Sequence, residues 1–374
     1  MSVVIVDPAT GGAAGLYLDA YKGVARKYGA TLVGACSSIS TEGKRYFYPF
    51  TDLAAGGKKR FGRLRLPLRY VELLVALART FLLVLRKRPK AVFYALSSNL
   101  TPELIFVMLL RMIRVPVYVI CHDVVPFVSA HESRALKDLQ RRQFYRVADK
   151  LICHNRRSVS ELVESYGIDA GKIEYIPFPI SDLRVFPAAH AERPAAGEGL
   201  RFLFVGHVRA EKGVNVLVEA WRRAFPRIPH ASLLIAGQVP RGVEIDGADS
   251  TPGLTVMDCY VEEAEYVRLI NETDCVVLPY LAGTNSAILS NVVSLGKPSI
   301  VSDIEMFREC GLVGEEAMFR SRDETALAEK LVEYVSLSPA GRKAKSEEVE
   351  RIRDARSREF DAALDRLLER ISAA

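Results

Sequence analysis

The sequence predicts an α/β protein built from two doubly wound domains, and three observations carry that expectation. Short runs rich in Val, Ile and Leu alternate with helical stretches: VVIVD (Val3–Asp7), AVFYAL (91–96), VPVYVICHD (115–123), RFLFVG (201–206), CVVL (Cys275–Leu278) and SIVS (Ser299–Ser302). Runs that are apolar at successive positions, rather than at alternate ones, suit strands of a parallel sheet covered on both faces. The alternation restarts at Arg201, after a Pro/Ala/Gly-rich stretch (186–199, FPAAHAERPAAGEG) that reads as a linker. Finally, 374 residues exceed what one ordinary core holds. The expected division is a first domain over 1–185, the linker 186–199, a second domain over 200–355, and a C-terminal helix (356–374) packing back on the first domain.

Taken in order, VVIVD leads into PATGGAAG, whose Gly11 and Gly12 let backbone approach a ligand closely, and then into an apolar-periodic helix from Leu16. These glycines do not spell GxGxxG, and no acid ends the next strand, TLVGAC, so a dinucleotide site is a weak reading. YVELLVALARTFLLVL (70–85) is too short and too interrupted, by Glu72 and Arg79, to span a membrane. It reads equally as a core helix with solvated basic flanks and as a helix with one very apolar face between basic ends. VPVYVICHD delivers His122 to the carboxyl end of its strand, where α/β sheets place their chemistry. An Arg-rich helix, LICHN, a helix to Gly167 and KIEYIPFPI complete this half. In the second half come RFLFVG, the loop HVRAEKG, the helix VNVLVEAWRRAF, and the strands ASLLIAG, LTVMD and CVVLP. The chain closes on two charged amphipathic helices, the last with Ala363, Leu364, Leu367, Leu368 and Ile371 on one stripe.

Composition narrows the class. Apolar and charged fractions of 49% and 26% are those of a globular protein. The six cysteines are scattered without a CxxC, so reduced thiols, no zinc site and a cytosolic location are expected. The start runs straight into a strand, with no signal peptide expected. The net charge of +6 is concentrated: Lys58 to Lys90 holds eleven Lys/Arg against Glu72, a local +10 that leaves −4 elsewhere. That segment points to an anionic membrane surface, and no nucleic-acid partner is expected. No Walker loop, HExxH helix, GxSxG elbow or metal-chelating aspartate pair is present, so kinase, protease and hydrolase readings lack their parts.

The most informative stretch is PYLAGTNSAILSNVVSLGKPSIVSD (Pro279–Asp303). Gly283 sits in the turn after the CVVL strand, and Thr284, Asn285 and Ser286 are all good helix N-caps. Ile288, Leu289, Val292 and Val293 recur at helical spacing, Gly296 takes the C′ place, and Pro298 forbids continuation. Strand, small-residue loop and helix N-terminus together present backbone N–H groups to an anion, although an ordinary βαβ unit would look the same. In the loop after RFLFVG, Gly206 precedes Arg209 and Lys212, which offer a bidentate fork and a point charge for phosphate. A cleft between two such domains suits a phosphate-bearing ligand, and the cations would stabilise a departing diphosphate.

FLFVGHVRAEKGVNVLVEAW resembles the phosphate-binding loop of the retaining family-4 glycosyltransferases, in the variant reading G-x-[IV]-R-x-x-K-G. PY…GTNSAILSNVVSLGKPSIVSD is similar to that variant's nucleotide-sugar loop, and HDVVP with ADKLICHN to the family's N-terminal domain. The resemblance implies the GT-B fold: two Rossmann-like domains facing each other across a cleft, the second holding a nucleoside-diphosphate sugar and the first the acceptor. By position it gives Arg209 and Lys212 the diphosphate, His122 the donor sugar, Asn285 and Ser286 a share of the sugar-phosphate loop, and Tyr260 and Val261 the flanks of the base. One departure stands out. Where many members carry two glutamates eight positions apart, this chain has Gly283 and Asn291. Asn291 still donates to and accepts from a ribose hydroxyl in principle, whereas Gly283 has no side chain to reach the sugar.

The expected protein is therefore a metal-independent, retaining hexosyltransferase without cofactor. It would work in the cytoplasm at the inner face of the membrane, on a cell-envelope glycan or lipid-linked acceptor. Two alternatives stay open: a nucleotide-sugar 2-epimerase of the same fold, and a non-catalytic sugar-nucleotide or lipid-binding partner of another transferase.

Overall fold

A computed structural model describes residues 2–8, 27–35, 43–51, 61–95, 100–121, 124, 134–190, 199–240, 242–283 and 285–373. The chain divides into two compact units, Met1–Pro179 with Arg358–Ala374, and Ile180–Ser357.

The first unit is built on a parallel sheet of β1 (Val3–Asp7), β2 (Thr31–Ala35), β3 (Lys44–Phe47), β4 (Ala91–Ala95), β5 (Val117–Cys121), β6 (Lys150–Cys153) and β7 (Ile173–Tyr175). Its spatial order is β3-β2-β1-β4-β5-β6-β7. Strand β1 pairs on one side with β2 (Val4 opposite Thr31) and on the other with β4 (Val6 opposite Tyr94). The successive apolar residues divide between two cores, since side chains alternate across a strand. Val4, Val6, Val92 and Tyr94 face α1 (Arg65–Lys87), α2 (Leu100–Met112) and α3 (Arg134–Val147). Val3, Ile5, Ala91 and Phe93 face the opposite layer, where Phe360, Leu364, Leu367 and Leu368 of the last helix cover them. Helix α4 (Arg156–Glu164) is capped by Asn155, whose side chain accepts from the Ser158 N–H at 2.6 Å.

The second unit repeats the plan with β8 (Arg201–Val205), β9 (Ser232–Ala236), β10 (Leu254–Met257), β11 (Cys275–Leu278), β12 (Ser299–Ser302) and β13 (Met318–Phe319), ordered β10-β9-β8-β11-β12-β13. Helices α5 (Val214–Ala224), α6 (Glu263–Glu272), α7 (Ala287–Ser294), α8 (Glu305–Glu309) and α9 (Glu324–Ser336) surround it. Trp221 of α5 is fully buried, edge-on to Phe202 of β8, and its indole N–H reaches the Pro252 carbonyl at 3.0 Å. The order reverses beside β8, which has β9 on one side and β11 on the other. In such sheets ligands bind outside the carboxyl ends of the strands at this reversal.

Several boundaries differ from expectation. Strand β3 (KRYF) carries two exposed charged residues in four, so it gives none of the apolar signal of a central strand. Strand β13 is two residues long and is recruited by pairing with β12. The second unit begins at Ile180, and 3₁₀ turns at Leu183–Val185 and Pro187–His190 belong to it. The Leu183 N–H is held by Ser294 Oγ at 2.9 Å, so the first part of the expected linker is built structure; 191–198 lie outside the described residues. The last helix, α10, starts at Pro339 rather than 356 and runs unbroken to Ala373. The helix expected from Leu16 also lies outside the described residues.

Candidate functional site: the loops after strands β8 and β11

Two loops leave the carboxyl ends of the neighbouring strands β8 and β11, and backbone contacts press them together. The first begins at Gly206, whose N–H is taken by the Ala236 carbonyl at 2.9 Å and whose φ of +131° is ordinary only for glycine. Val208, buried, donates to the Gln238 carbonyl at 3.0 Å. These bonds leave Arg209 to Lys212 to turn outward through a short 3₁₀ turn. Gly213 ends that turn in the left-handed region (φ +64°), and a Cβ there would lie 2.0 Å from the Pro279 carbonyl oxygen. Only glycine lets the cationic loop lie this close to the second loop. The Leu281 N–H then donates to the Glu211 carbonyl at 2.8 Å, locking one loop to the other.

The side chains follow. Lys212 Nζ stands 3.6 Å from the centroid of the Tyr280 ring, a cation–π contact on a fully buried aromatic. Burial pushes the Tyr280 phenol above its ordinary pKa, and the Ser286 side chain opposes that shift. Ser286 is the N-cap of α7, accepting from the Leu289 N–H at 3.1 Å. Arg209 remains half-exposed, with Nη1 3.8 Å from Glu211 Oε1, a loose surface pair that leaves the guanidinium accessible. His207, beside them, has its pKa lowered by burial and then by the Arg209 and Lys212 charges. Three cation-capable side chains and a helix N-terminus therefore converge at the reversal of the strand order, which is the chemistry of an anion site.

The structure brings Gly206, Arg209, Lys212, Gly283, Asn285 and Ser286 to these adjoining loops. Tyr260, 43% exposed, and half-buried Val261 follow β10, on the far side of β9 from β8. Asn291, expected at a ribose hydroxyl, has a partner within the protein. It is buried (2% exposed) and its Nδ2 donates to the Tyr266 hydroxyl at 3.2 Å, so it braces α7 against α6. Gly283 backs onto Met306: a Cβ at this position would meet its sulfur at 2.9 Å. A thioether thus packs against Gly283, one of the two positions where the family resemblance implies a glutamate. Gly11, Gly12, His122 and Thr284 lie outside the described residues. Two site residues went unassigned from sequence. Tyr280 stands next to Pro279 in the most telling motif, yet its pairing with Lys212 spans two strands and two loops. His207 directly follows Gly206, and only its charged neighbours in space single it out. Among the described residues, no group of three or more His, Cys, Asp and Glu side chains is placed to hold a metal ion.

Residues 199–336 match the family model of the group 1 glycosyl transferases, and residues 47–179 match that of the glycosyl transferase 4-like domain. A search of curated proteins finds no match. Among solved structures, Anabaena HepE in complex with UDP-glucose is similar at a TM-score of 0.65 and 14% identity, over 100% of both chains. The UDP-forming α,α-trehalose-phosphate synthase of Burkholderia vietnamiensis is similar at 0.63 and 12% identity, over 100% of this chain and 98% of that one. With two parallel-sheet Rossmann-like units and both family models matched, the chain belongs to the group 1, family-4-like glycosyltransferases of GT-B fold.

Proposed function

We propose that the protein is a retaining, metal-independent hexosyltransferase that moves a sugar from a nucleoside diphosphate to a hydroxyl of a cell-envelope glycan or lipid-linked acceptor. The observation that carries the donor part is the locking of the Arg209–Lys212 loop onto the loop that ends in the Ser286-capped helix. Arg209 supplies a fork for two phosphate oxygens, and Lys212 a point charge held over Tyr280. The N-terminal N–H groups of α7 add a third positive pole. As the bond from the anomeric carbon to the diphosphate breaks, negative charge grows on the leaving oxygen, and these groups stabilise it without needing to move. In this reading that same oxygen takes the acceptor's proton while the hydroxyl attacks from the same face. His122 is assigned to the donor sugar, Gly11 and Gly12 to close backbone approach, and Tyr260 with Val261 to the base. These assignments rest on the family resemblance. HepE was solved with UDP-glucose, which supports a UDP-hexose as the first donor to try.

A lipid-linked acceptor would place the enzyme at the inner face of a membrane, with the basic residues of 58–90 toward anionic lipid. Lys58, Lys59 and Arg60 lie outside the described residues. The test is a donor-and-acceptor assay in excess EDTA, with the anomeric configuration of the product read by NMR. Donor consumed only when acceptor is added, with retained configuration, is the expected result. Donor turned over without acceptor would instead identify the 2-epimerase, and activity lost to chelator and restored by manganese would overturn metal independence.

A further inference from the structure

The outer side of α1 is the most unusual surface among the described residues. Its inner face (Leu73, Ala76, Leu77, Val84) is core, as expected for a sheet-packing helix. The polar side chains in mid-helix are all engaged. Glu72 is buried and accepts from the Phe50 N–H at 2.7 Å and from the Thr51 N–H at 3.3 Å. Thr80 bonds back to the Ala76 carbonyl at 2.7 Å. Arg69 and Arg79 lie over the rings of Tyr48 and Tyr46, at 3.6 and 4.3 Å from the centroids. What remains facing outward is apolar: Leu66 (72% exposed), Tyr70, Val71, Leu74, Val75 and Leu82 (63%). The adjoining helix α2 adds Ile105, Leu109 and Met112 (79% exposed).

We infer that this face of α1 and α2 lies in the interfacial layer of an anionic phospholipid bilayer, its apolar side chains entering the acyl boundary and the basic ends of α1 seated on headgroups. The stripe from Leu66 to Leu82 is about 24 Å long, and no described helix is long and apolar enough to cross a membrane. An in-plane amphipathic helix fits this length and pattern. Charge selects the occupant. Arg63 and Arg65 stand at one end of the stripe, and Arg86 and Arg88 at the other. Between Phe61 and Arg114 the acids are Glu72 and Glu103, and both are buried. A second copy related by a two-fold axis would bring these cationic ends together with no acid between them, whereas anionic headgroups pair with both. This inference specifies the membrane-facing part of the proposed function and is independent of the sugar chemistry.

The test is flotation of the 374-residue chain with vesicles of phosphatidylcholine alone and of phosphatidylcholine with phosphatidylglycerol, across a salt series. Wild type should float with the anionic vesicles. L66N/L74N/L82N should lose about tenfold or more of its partition on both compositions. R63S/R86S/R88S should lose about a hundredfold on anionic vesicles at low salt, and should leave the weak binding to neutral vesicles unchanged. The thermal shift produced by UDP should be the same in all three proteins, so failure of sugar transfer and failure of docking are separable. Wild type that does not float with anionic vesicles, or a triple Asn variant that floats as well as wild type, would overturn the inference. So would a wild-type dimer that the triple Asn substitution turns into monomer, since a second copy would then be the occupant.

Discussion

Helices α1 and α5 do the same job in the two units and present opposite outer faces. Each packs an apolar stripe on a parallel sheet: Leu73, Ala76 and Leu77 in α1, Leu217, Val218 and Trp221 in α5. On the far side, α5 shows Asn215, Arg222 and Arg223, with Glu219 paired to Arg222 and, at 3.0 Å, to Arg223. Helix α6 repeats this surface, with Arg268 bridging Glu265 and Glu272. The far side of α1 shows Leu, Val and Tyr instead. Water explains the first surface: exposed charges stay solvated, and their pairing adds little. Water does not explain the second, since contiguous exposed apolar surface marks a site of interaction. The outer faces of α5 and α6 are thus suited to water, and that of α1 to an apolar contact.

That contrast can be broken by stability measurements. Trp221→Ala should cost about 3–5 kcal/mol, the range for removing a large core aromatic, read by denaturant unfolding of the C-terminal unit. Leu82→Ala should stay within about 0.5 kcal/mol, as for a surface position. A loss at Leu82 approaching that at Trp221 would show that the outer face of α1 is covered within the protein. The site sharpens the contrast from the other side. Arg209→Ala and Lys212→Ala should each lower kcat/KM by an amount equivalent to about 2–5 kcal/mol, the scale for removing one member of a desolvated charge pair. Vesicle flotation should be unchanged, and near wild-type kcat/KM in both variants would move the diphosphate elsewhere.

His207 predicts a smaller effect with a definite sign. Its pKa is lowered by burial and by Arg209 and Lys212, so the ligand-free protein binds this proton less readily than an ordinary histidine does. A bound diphosphate brings negative charge and raises the pKa, so donor binding takes up a proton. Affinity for a nucleotide sugar, whose diphosphate does not titrate in this range, should rise as pH falls below about 6.5, by at most about tenfold per pH unit. Calorimetry across pH checks this, and His207→Gln should flatten the slope. The same shift lowers fold stability as pH falls below the unfolded value, because the unfolded chain then holds more protons at this site. Smallest of all, Glu219→Gln on α5 should cost less than about 1 kcal/mol and lose even that in high salt. A larger, salt-resistant loss would mean that the outer face of α5 is not simply solvated.

Much of the C-terminal site was legible in the residues. Gly296 does end α7 in the left-handed region (φ +67°), and Ser286, one of three adjacent candidates, is the residue whose side chain caps it. Which candidate caps was not readable, because Thr284, Asn285 and Ser286 offer the same chemistry and differ only in where the loop places them. Asn291 makes a related point. An amide suits a ribose and a buried tyrosine equally well, and only the packing of α6 on α7 sets it against Tyr266. Strand β3 was missed because pairing with β2, rather than an apolar run, makes KRYF a strand.

What the sequence by itself determined is local: which runs form strands, where α7 starts and stops, which loops carry glycine and cations, and hence the family. Each depends on chemistry within a few residues, namely period, cap and backbone freedom. Only the tertiary structure decided that Lys212 stands on Tyr280 and that His207 shares their field. It also decided that one of two apolar faces of α1 stays exposed among the described residues. Hydrophobic period reports what a face prefers, whereas the number of neighbours available to satisfy it is set by the layers of the fold. Helix α1 has one sheet beneath it, and among the described residues no second layer covers its remaining apolar face.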